Sequence, residues 1–401
     1  MTRIASCAAW AVVVATAACQ SGPPSTAPIP VSAPLAARLA PAVRAVDSAV
    51  AAGTFPGAVV AVSIRGERYV YGSGRLGQDD PTRPDGQTVY DMASLTKVVA
   101  LTTLAMMAVD EGRLDLDAPV VRYLPRFATG LGAKDRVTVR DLLLHDSGMH
   151  AHRPLWLQAR GRSGAIHAAL ISDLDTLPGA RMVYSDLGAI TLATILESVY
   201  GKRIDKLFAE RVARPLLLHR TRYLPPTSWR GVIAPTEQDP WRGRMLRGEV
   251  HDENASRLGG ASGHAGLFSD AEDALRFGEW ALAGAKGASV EGAPPPPKGF
   301  TTWTVRQDRP VGSSRGLGWD TPSGISSSGT IMSARSFGHT GFTGTSLWID
   351  PTRDVVIVLL TNRVHPTRNT PQFGQIRGVV ADAVMRALFP DAMPRSATGG
   401  N

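Results

Sequence analysis

Asp91-Met-Ala-Ser94-Leu-Thr-Lys97 is the stretch on which the fold turns. A serine hydroxyl is a feeble nucleophile near neutral pH and needs a base within hydrogen-bonding reach. From Ser94 to Glu111 apolar residues recur at helical spacing and stop at Gly112. Ser94 and Lys97 thus stand three apart at a helix start, on one face. Burial beside other cations can make such a lysine a neutral base at working pH. The helix N-terminus adds partial positive charge where an oxyanion would form. Alone, Ser-x-x-Lys recurs by chance, its bland reading being a capping serine and a surface lysine. The rest of the chain has to decide.

Two further stretches change the weight. Pro178-Gly-Ala-Arg-Met-Val-Tyr184-Ser-Asp186 leads through a turn to a tyrosine, which can take a proton from Ser94 and return it to a leaving group. Gly338-His339-Thr340-Gly341-Phe342 reads as a small, glycine-containing edge strand. Such a strand lets substrate lie against backbone and offers an amide to an oxyanion.

Around these motifs the chain divides. A helical pattern covers Leu35 to Ala52, and Gly57 to Tyr71 reads as a hairpin turning at Arg65-Gly66-Glu67. Further helices fall at Val139–Leu144, Ser185–Tyr200 and Ile204–Val212. Ser269-Asp-Ala-Glu272 reads as a capping box for a helix to about Ala283. Residues 284–299, with four consecutive prolines, form an irregular excursion. Strands return at Ser346–Ile349 and Val355–Leu360, and a last helix covers about Phe373 to Leu388. Strands at both ends of a helical middle predict one sheet built from the two ends, 35–93 and 300–393, with a helical region of about 94–283 inserted.

In this order, the three motifs resemble the Ser-x-x-Lys, Tyr-x-Asn and Lys-Thr-Gly elements of the serine β-lactamase-like and penicillin-binding-protein family: class C β-lactamases, DD-peptidases and related esterases. The resemblance runs from about Leu35 to Leu388 and includes Leu142-Leu-Leu-His145-Asp-Ser-Gly148 and Gly266-Leu-Phe-Ser269. It implies an α/β (α+β) fold, a five-stranded antiparallel sheet flanked by helices plus an all-helical domain. Ser94 would be the acylated nucleophile, Lys97 and Tyr184 the acid/base pair, and the amides of Ser94 and Phe342 the oxyanion hole. Asp186, His339, Thr340, Gly341 and Phe342 would contact substrate, and no cofactor or metal is implied. Asp186 stands where many relatives have asparagine, and His339 where lactamases and peptidases have lysine. A histidine attracts a substrate carboxylate only when protonated, which favours peptidase or esterase over efficient β-lactamase. Stretches such as Gly248-Glu-Val-His251-Asp-Glu-Asn254 and Gly259–Phe268 resemble an exported subgroup linked with cell-wall recycling and weak DD-carboxypeptidase activity. The implied substrates are D-alanyl peptides of peptidoglycan or small esters. The rival from another class is a non-catalytic protein that binds wall peptides.

Composition bounds the rest. With 401 residues, 43% hydrophobic and 19% charged, the chain is globular in character. Its net charge of +8 comes from scattered arginines without a basic block, which argues against nucleic acid as a partner. The only two cysteines are Cys7 and Cys19, so the body has neither disulfide nor thiolate site. Arg3, an apolar run from about Ala8 to Ala18, and Cys19 read as an export leader over 1–19. Ala17 and Ala18 before Cys19 resemble a lipoprotein cleavage site, which would make lipidated Cys19 a membrane anchor; Thr16 departs from that pattern, and ordinary cleavage near Ala18 is the alternative. A Pro/Ser/Ala-rich tether follows at 20–34, then a catalytic body at 35–393 and a tail at 394–401.

Three bland readings stand beside these. His251, Asp252 and His264 match no standard zinc spacing and are read as lining the cleft. His145, His150 and His152 are read as hydrogen-bonded loop histidines rather than ligands. Gly312-Ser-Ser314-Arg-Gly316 matches a Gly-x-Ser-x-Gly elbow but lacks the strand before and helix after that the elbow requires.

Overall fold

Valine, isoleucine and leucine crowd two stretches, 57–64 and 355–361, with almost no polar alternation, the mark of strands buried on both faces. The computed structural model, which describes residues 32–324, 326–369 and 373–395, places both at the centre of one sheet. The leader at 1–19 with Cys19, the tether up to residue 31 and the tail from 396 lie outside the described residues. Strands β1 (Gly57–Ile64), β2 (Glu67–Gly74), β3 (Phe337–Thr340), β4 (Ser346–Asp350) and β5 (Val355–Thr361) run antiparallel in the order β2-β1-β5-β4-β3. Val60 faces Tyr71 on one side and Leu359 on the other, which fixes the register. Arg65 and Gly66 both take positive φ, 50° and 87°, the turn that matches the strands' own twist.

Each face of the sheet has its own cover. Helices α1 (Ala33–Arg38) and α2 (Ala40–Ala51) lie with the C-terminal helix against Val60, Val62, Ile357 and Leu359. Val59, Ala61, Val356 and Val358 face a larger core shared with the helical middle. The middle begins with the helical run Ala93–Asp110, a 3₁₀ turn at Ala93–Leu95, a π segment at Lys97–Thr102 and then α3 (Thr103–Asp110). It continues through α4 (Val139–Leu144), α5 (Asp186–Tyr200) and α6 (Ala271–Ala285). The C-terminal helix is α7 (Ile376–Leu388).

Several boundaries differ from the sequence reading. The first helix breaks at Leu39, because Pro41 restarts it with no N–H to give. Ala33 and Pro34, read as tether, belong to α1 behind the capping Ser32. Asp270 rather than Ser269 caps α6, accepting from Asp273 N at 2.9 Å. Ser269 is instead the end of a short strand, Leu267–Ser269, that pairs with Tyr90–Asp91 and Arg222–Tyr223. The helical middle thus carries small strands of its own, two or three residues each, too short for periodicity to reveal.

Candidate active site

Ser94 projects from a turn that the protein holds in a strained shape. Ala93 has φ +44°, uncommon for a residue with a Cβ. Asp91 holds it there: one carboxylate oxygen accepts from Ala93 N at 2.8 Å, the other from His251 N at 2.6 Å. The loop after β3 clamps the same turn, with Thr343 Oγ1 donating to Asp91 O at 2.7 Å and Thr345 Oγ1 to Met92 O at 3.1 Å. Gly341 has to be glycine, since a Cβ would lie 2.5 Å from Met92 O and 2.2 Å from Thr345 Oγ1. The edge strand is thereby brought against Ser94.

Lys97 is buried, and its Nζ has three acceptors: Ser94 Oγ at 3.0 Å, Asp186 Oδ1 at 2.7 Å and His264 O at 3.1 Å. Three donors are what an ammonium has to give. Burial opposes its charge, yet Asp186 and then Tyr184 outweigh burial, and the pKa lies above the ordinary lysine value. This corrects the expectation of a neutral lysine base. The neighbour that decides is the Asp186 carboxylate. Asp186 is itself held ionised against burial, by Lys97 first and then by His152, whose Nδ1 is 3.9 Å away. His152 in turn is raised above its usual pKa by Asp186.

Tyr184 occupies the middle of a ring of charged and heterocyclic groups. Lys97 Nζ lies 4.7 Å from its ring centre, the Arg315 guanidinium carbon 5.2 Å, the His145 ring 4.7 Å and the His339 ring 5.7 Å. Its hydroxyl has no hydrogen-bond partner among the described residues. His339 donates Nδ1–H to Thr340 O at 2.8 Å, since a carbonyl can only accept. Burial, then Arg315 and Lys97, push its pKa well below the usual histidine value. His339 is therefore neutral, with Nε2 bare, buried and without a partner among the described residues. It brings no positive charge to the cleft, and Arg315 does. Arg315 is only 8% exposed, lines the cleft, and leaves Nε and Nη1 without partners among the described residues.

Ser94, Tyr184, Asp186, His339, Thr340, Gly341 and Phe342 all line one cleft of about 580 Å³, with Lys97 directly beneath Ser94. The backbone N–H groups of Ser94 and Phe342 find no acceptor among the described residues, as donors awaiting an oxyanion would. His251 pairs with Glu237 at 2.9 Å, and His264 bridges Asp252 and Ser262 at 2.8 and 2.9 Å. Among the described residues no group of three His, Cys, Asp or Glu is placed to hold a metal. His150 pairs with Asp175, and His145 accepts from Ser185 N at 3.0 Å. Ser314 Oγ is spent on Asp320 at 2.8 Å. In the Trp241–Arg247 stretch each arginine is matched by an acid, Asp239, Glu249 or Asp80.

Sequence reading missed Arg315, although it quoted the Gly312–Gly316 stretch for its serine. The signal there was an arginine in a Gly/Ser loop, and only the fold turns it onto Tyr184.

A serine held by a lysine on a strained turn, under a glycine-bearing edge strand, defines a serine-hydrolase site. The family model described as Beta-lactamase matches residues 42–380. A relative in Escherichia coli (strain K12), provisionally named D-alanyl-D-alanine carboxypeptidase, is 31% identical over 360 residues, 79% of this chain and 81% of its own. Among solved structures, EstCE1, a hydrolase with promiscuous acyltransferase activity, is similar at TM-score 0.68 and 22% identity, covering 88% of this chain and 98% of that one. A penicillin-binding-protein homolog from Caulobacter crescentus is similar at TM-score 0.69 and 21% identity, covering 87% and 97%. The chain belongs to the Beta-lactamase family of serine hydrolases.

Proposed function

We propose that the protein is a DD-carboxypeptidase-like hydrolase working through a Ser94 acyl-enzyme on D-alanyl peptides of peptidoglycan. The observation that carries this reading is Arg315, a buried guanidinium beside Tyr184 in the nucleophile's own cleft, whose Nε and Nη1 have no partner among the described residues. A free C-terminal carboxylate on the leaving residue would satisfy it with charge-assisted hydrogen bonds. The name of the Escherichia coli relative supports the same substrate class. In the first step Ser94 Oγ attacks the carbonyl carbon and its proton passes to Tyr184. As it takes that proton, the phenol passes its own to the leaving nitrogen, so the tyrosine ends the step neutral. The oxyanion is received by the amides of Ser94 and Phe342. Collapse breaks the C–N bond and frees the amine so protonated, and water then hydrolyses the acyl-enzyme by the reverse relay. Lys97 stays an ammonium and fixes Ser94 through its hydrogen bond.

Incubating the protein with muropeptides, short-chain esters and a cephalosporin ranks the substrates. The reading expects D-alanine release to be fastest. It also expects Arg315→Gln to remove the preference for a free C-terminal carboxylate over the amide. Faster cephalosporin hydrolysis would reverse the assignment to β-lactamase; ester turnover alone would make it an esterase.

The same reading places the protein in the cell envelope, exported and tethered to a membrane through lipidated Cys19. The leader, the Cys19 context and the wall substrate support it together. Metabolic labelling with an alkyne fatty acid should mark the protein, and Cys19→Ala should abolish the label. A soluble, unlabelled periplasmic form would leave ordinary cleavage near Ala18.

A further inference from the structure

The β3 edge carries guanidinium groups on both sides of Ser94. Arg315 lies at the His339 end. At the other end Phe342 is flanked by Arg363, whose guanidinium carbon is 4.5 Å from its ring centre. The Phe373 ring holds Arg363 at 5.1 Å and Arg377 at 4.6 Å. All of these residues line the cleft. The acids nearby are committed: Glu237 and Glu253 to Arg368, and Asp252 to His264.

Arg377 differs from its neighbours. It donates to the carbonyls of Thr345 and Gly341, and no carboxylate pairs with it among the described residues. It stands in the first turn of α7, which contains no acid, where the helix already presents partial positive charge. Burial, and then Arg363, pull its pKa down to about 9. Arg363 is lowered as well, by burial and then by Arg368. Cations crowded in this way are unfavourable to one another, and a bound anion relieves the repulsion.

We propose that the Arg363–Arg377 end of the cleft is a second anion subsite, which takes a carboxylate on the acyl portion of the substrate. The direction follows from Tyr184: it protonates the leaving nitrogen at the Arg315 end, so the acyl portion extends toward Phe342. Strand β3 ends at Thr340 and Phe342 sits in the turn that follows, so an acyl portion passing Phe342 leaves the edge strand beside Arg363. The preferred acyl donor is anionic at both ends. The assignment rests on the Ser94 acyl-enzyme reading, and its test separates the two.

Two substrate pairs measure it: D-alanyl-D-alanine peptides bearing an N-terminal succinyl or butyryl group, and mono-p-nitrophenyl adipate against p-nitrophenyl hexanoate. In each pair only the acyl-side carboxylate differs. The wild-type kcat/KM ratio should favour the charged member by about tenfold or more, the worth of one charge-assisted hydrogen bond. In Arg377→Gln, and separately in Arg363→Gln, that ratio should fall toward one, a readout that survives any change in absolute rate. Circular dichroism checks folding, and either variant suffices if the other does not fold. A wild-type ratio near one in both pairs, or a ratio that both variants preserve, overturns the subsite. Adipate preference without peptide cleavage keeps the subsite and discards the peptidase reading.

Discussion

At the scale of single residues, the pairing of Lys97 with Asp186 decides the chemistry. A lysine buried alone would shed its proton, while one paired with a buried carboxylate keeps it. His152 reports on the same carboxylate. Asp186→Asn removes the charge that raises His152, so the imidazole should titrate at lower pH than in the wild type. The His152 ring proton followed by NMR across pH 5 to 9 checks this, and an unmoved midpoint contradicts it. The serine assignment is tested by a pair of variants. Ser94→Ala should abolish turnover of a chromogenic ester. Ser314→Ala, which loses only its bond to Asp320, should retain it. The opposite pattern transfers the nucleophile to Ser314. The Ser94 to Lys97 spacing was readable because it depends only on neighbours in the chain. The charge state of Lys97 was not, because Asp186 reaches it across 89 positions.

At the scale of elements, β3 works through what it lacks. Gly341 lets the strand's end touch the Ser94 turn, and this contact places the Phe342 amide. Gly341→Ala drives a Cβ into Met92 O and Thr345 Oγ1 and so moves that donor. Ester turnover should fall by about 100-fold or more, the cost of one oxyanion donor, while far-UV circular dichroism stays native. Undiminished turnover would detach the Phe342 amide from catalysis. Helices α4 and α5 begin where the sequence put them because Thr138 and Ser185 cap them. The hairpin was legible because Arg65-Gly66 suits only a tight turn. The small strands of the helical middle were not legible, since two paired residues leave no pattern.

At the scale of the whole molecule, the sheet joins the two ends of the chain and the site forms where the inserted helices meet its β3 edge. Asp146, buried beside the site loop that carries His145, adds a pH dependence to this assembly. Burial, then Asp141, raise its pKa to about 7, with Arg309 opposing. Unfolded aspartate titrates near ~3.9, so between those values the native state holds the extra proton and stability falls as pH rises. Thermal melts should therefore show a lower Tm at pH 8 than at pH 5, with a smaller difference in Asp146→Asn; an equal difference removes Asp146 as the cause. The order of three motifs along the chain was enough to predict this architecture, because the family resemblance fixes how distant segments meet. Arg315, Arg363 and Arg377 gave no such signal, as their roles arise only from the folded cleft. The central claim is that folding activates one hydroxyl out of many, and mass-spectrometric mapping of a fluorophosphonate adduct tests it most directly. The account predicts a single adduct, on Ser94, in folded protein and none after denaturation. An adduct on any other residue, or no adduct in folded protein, contradicts it.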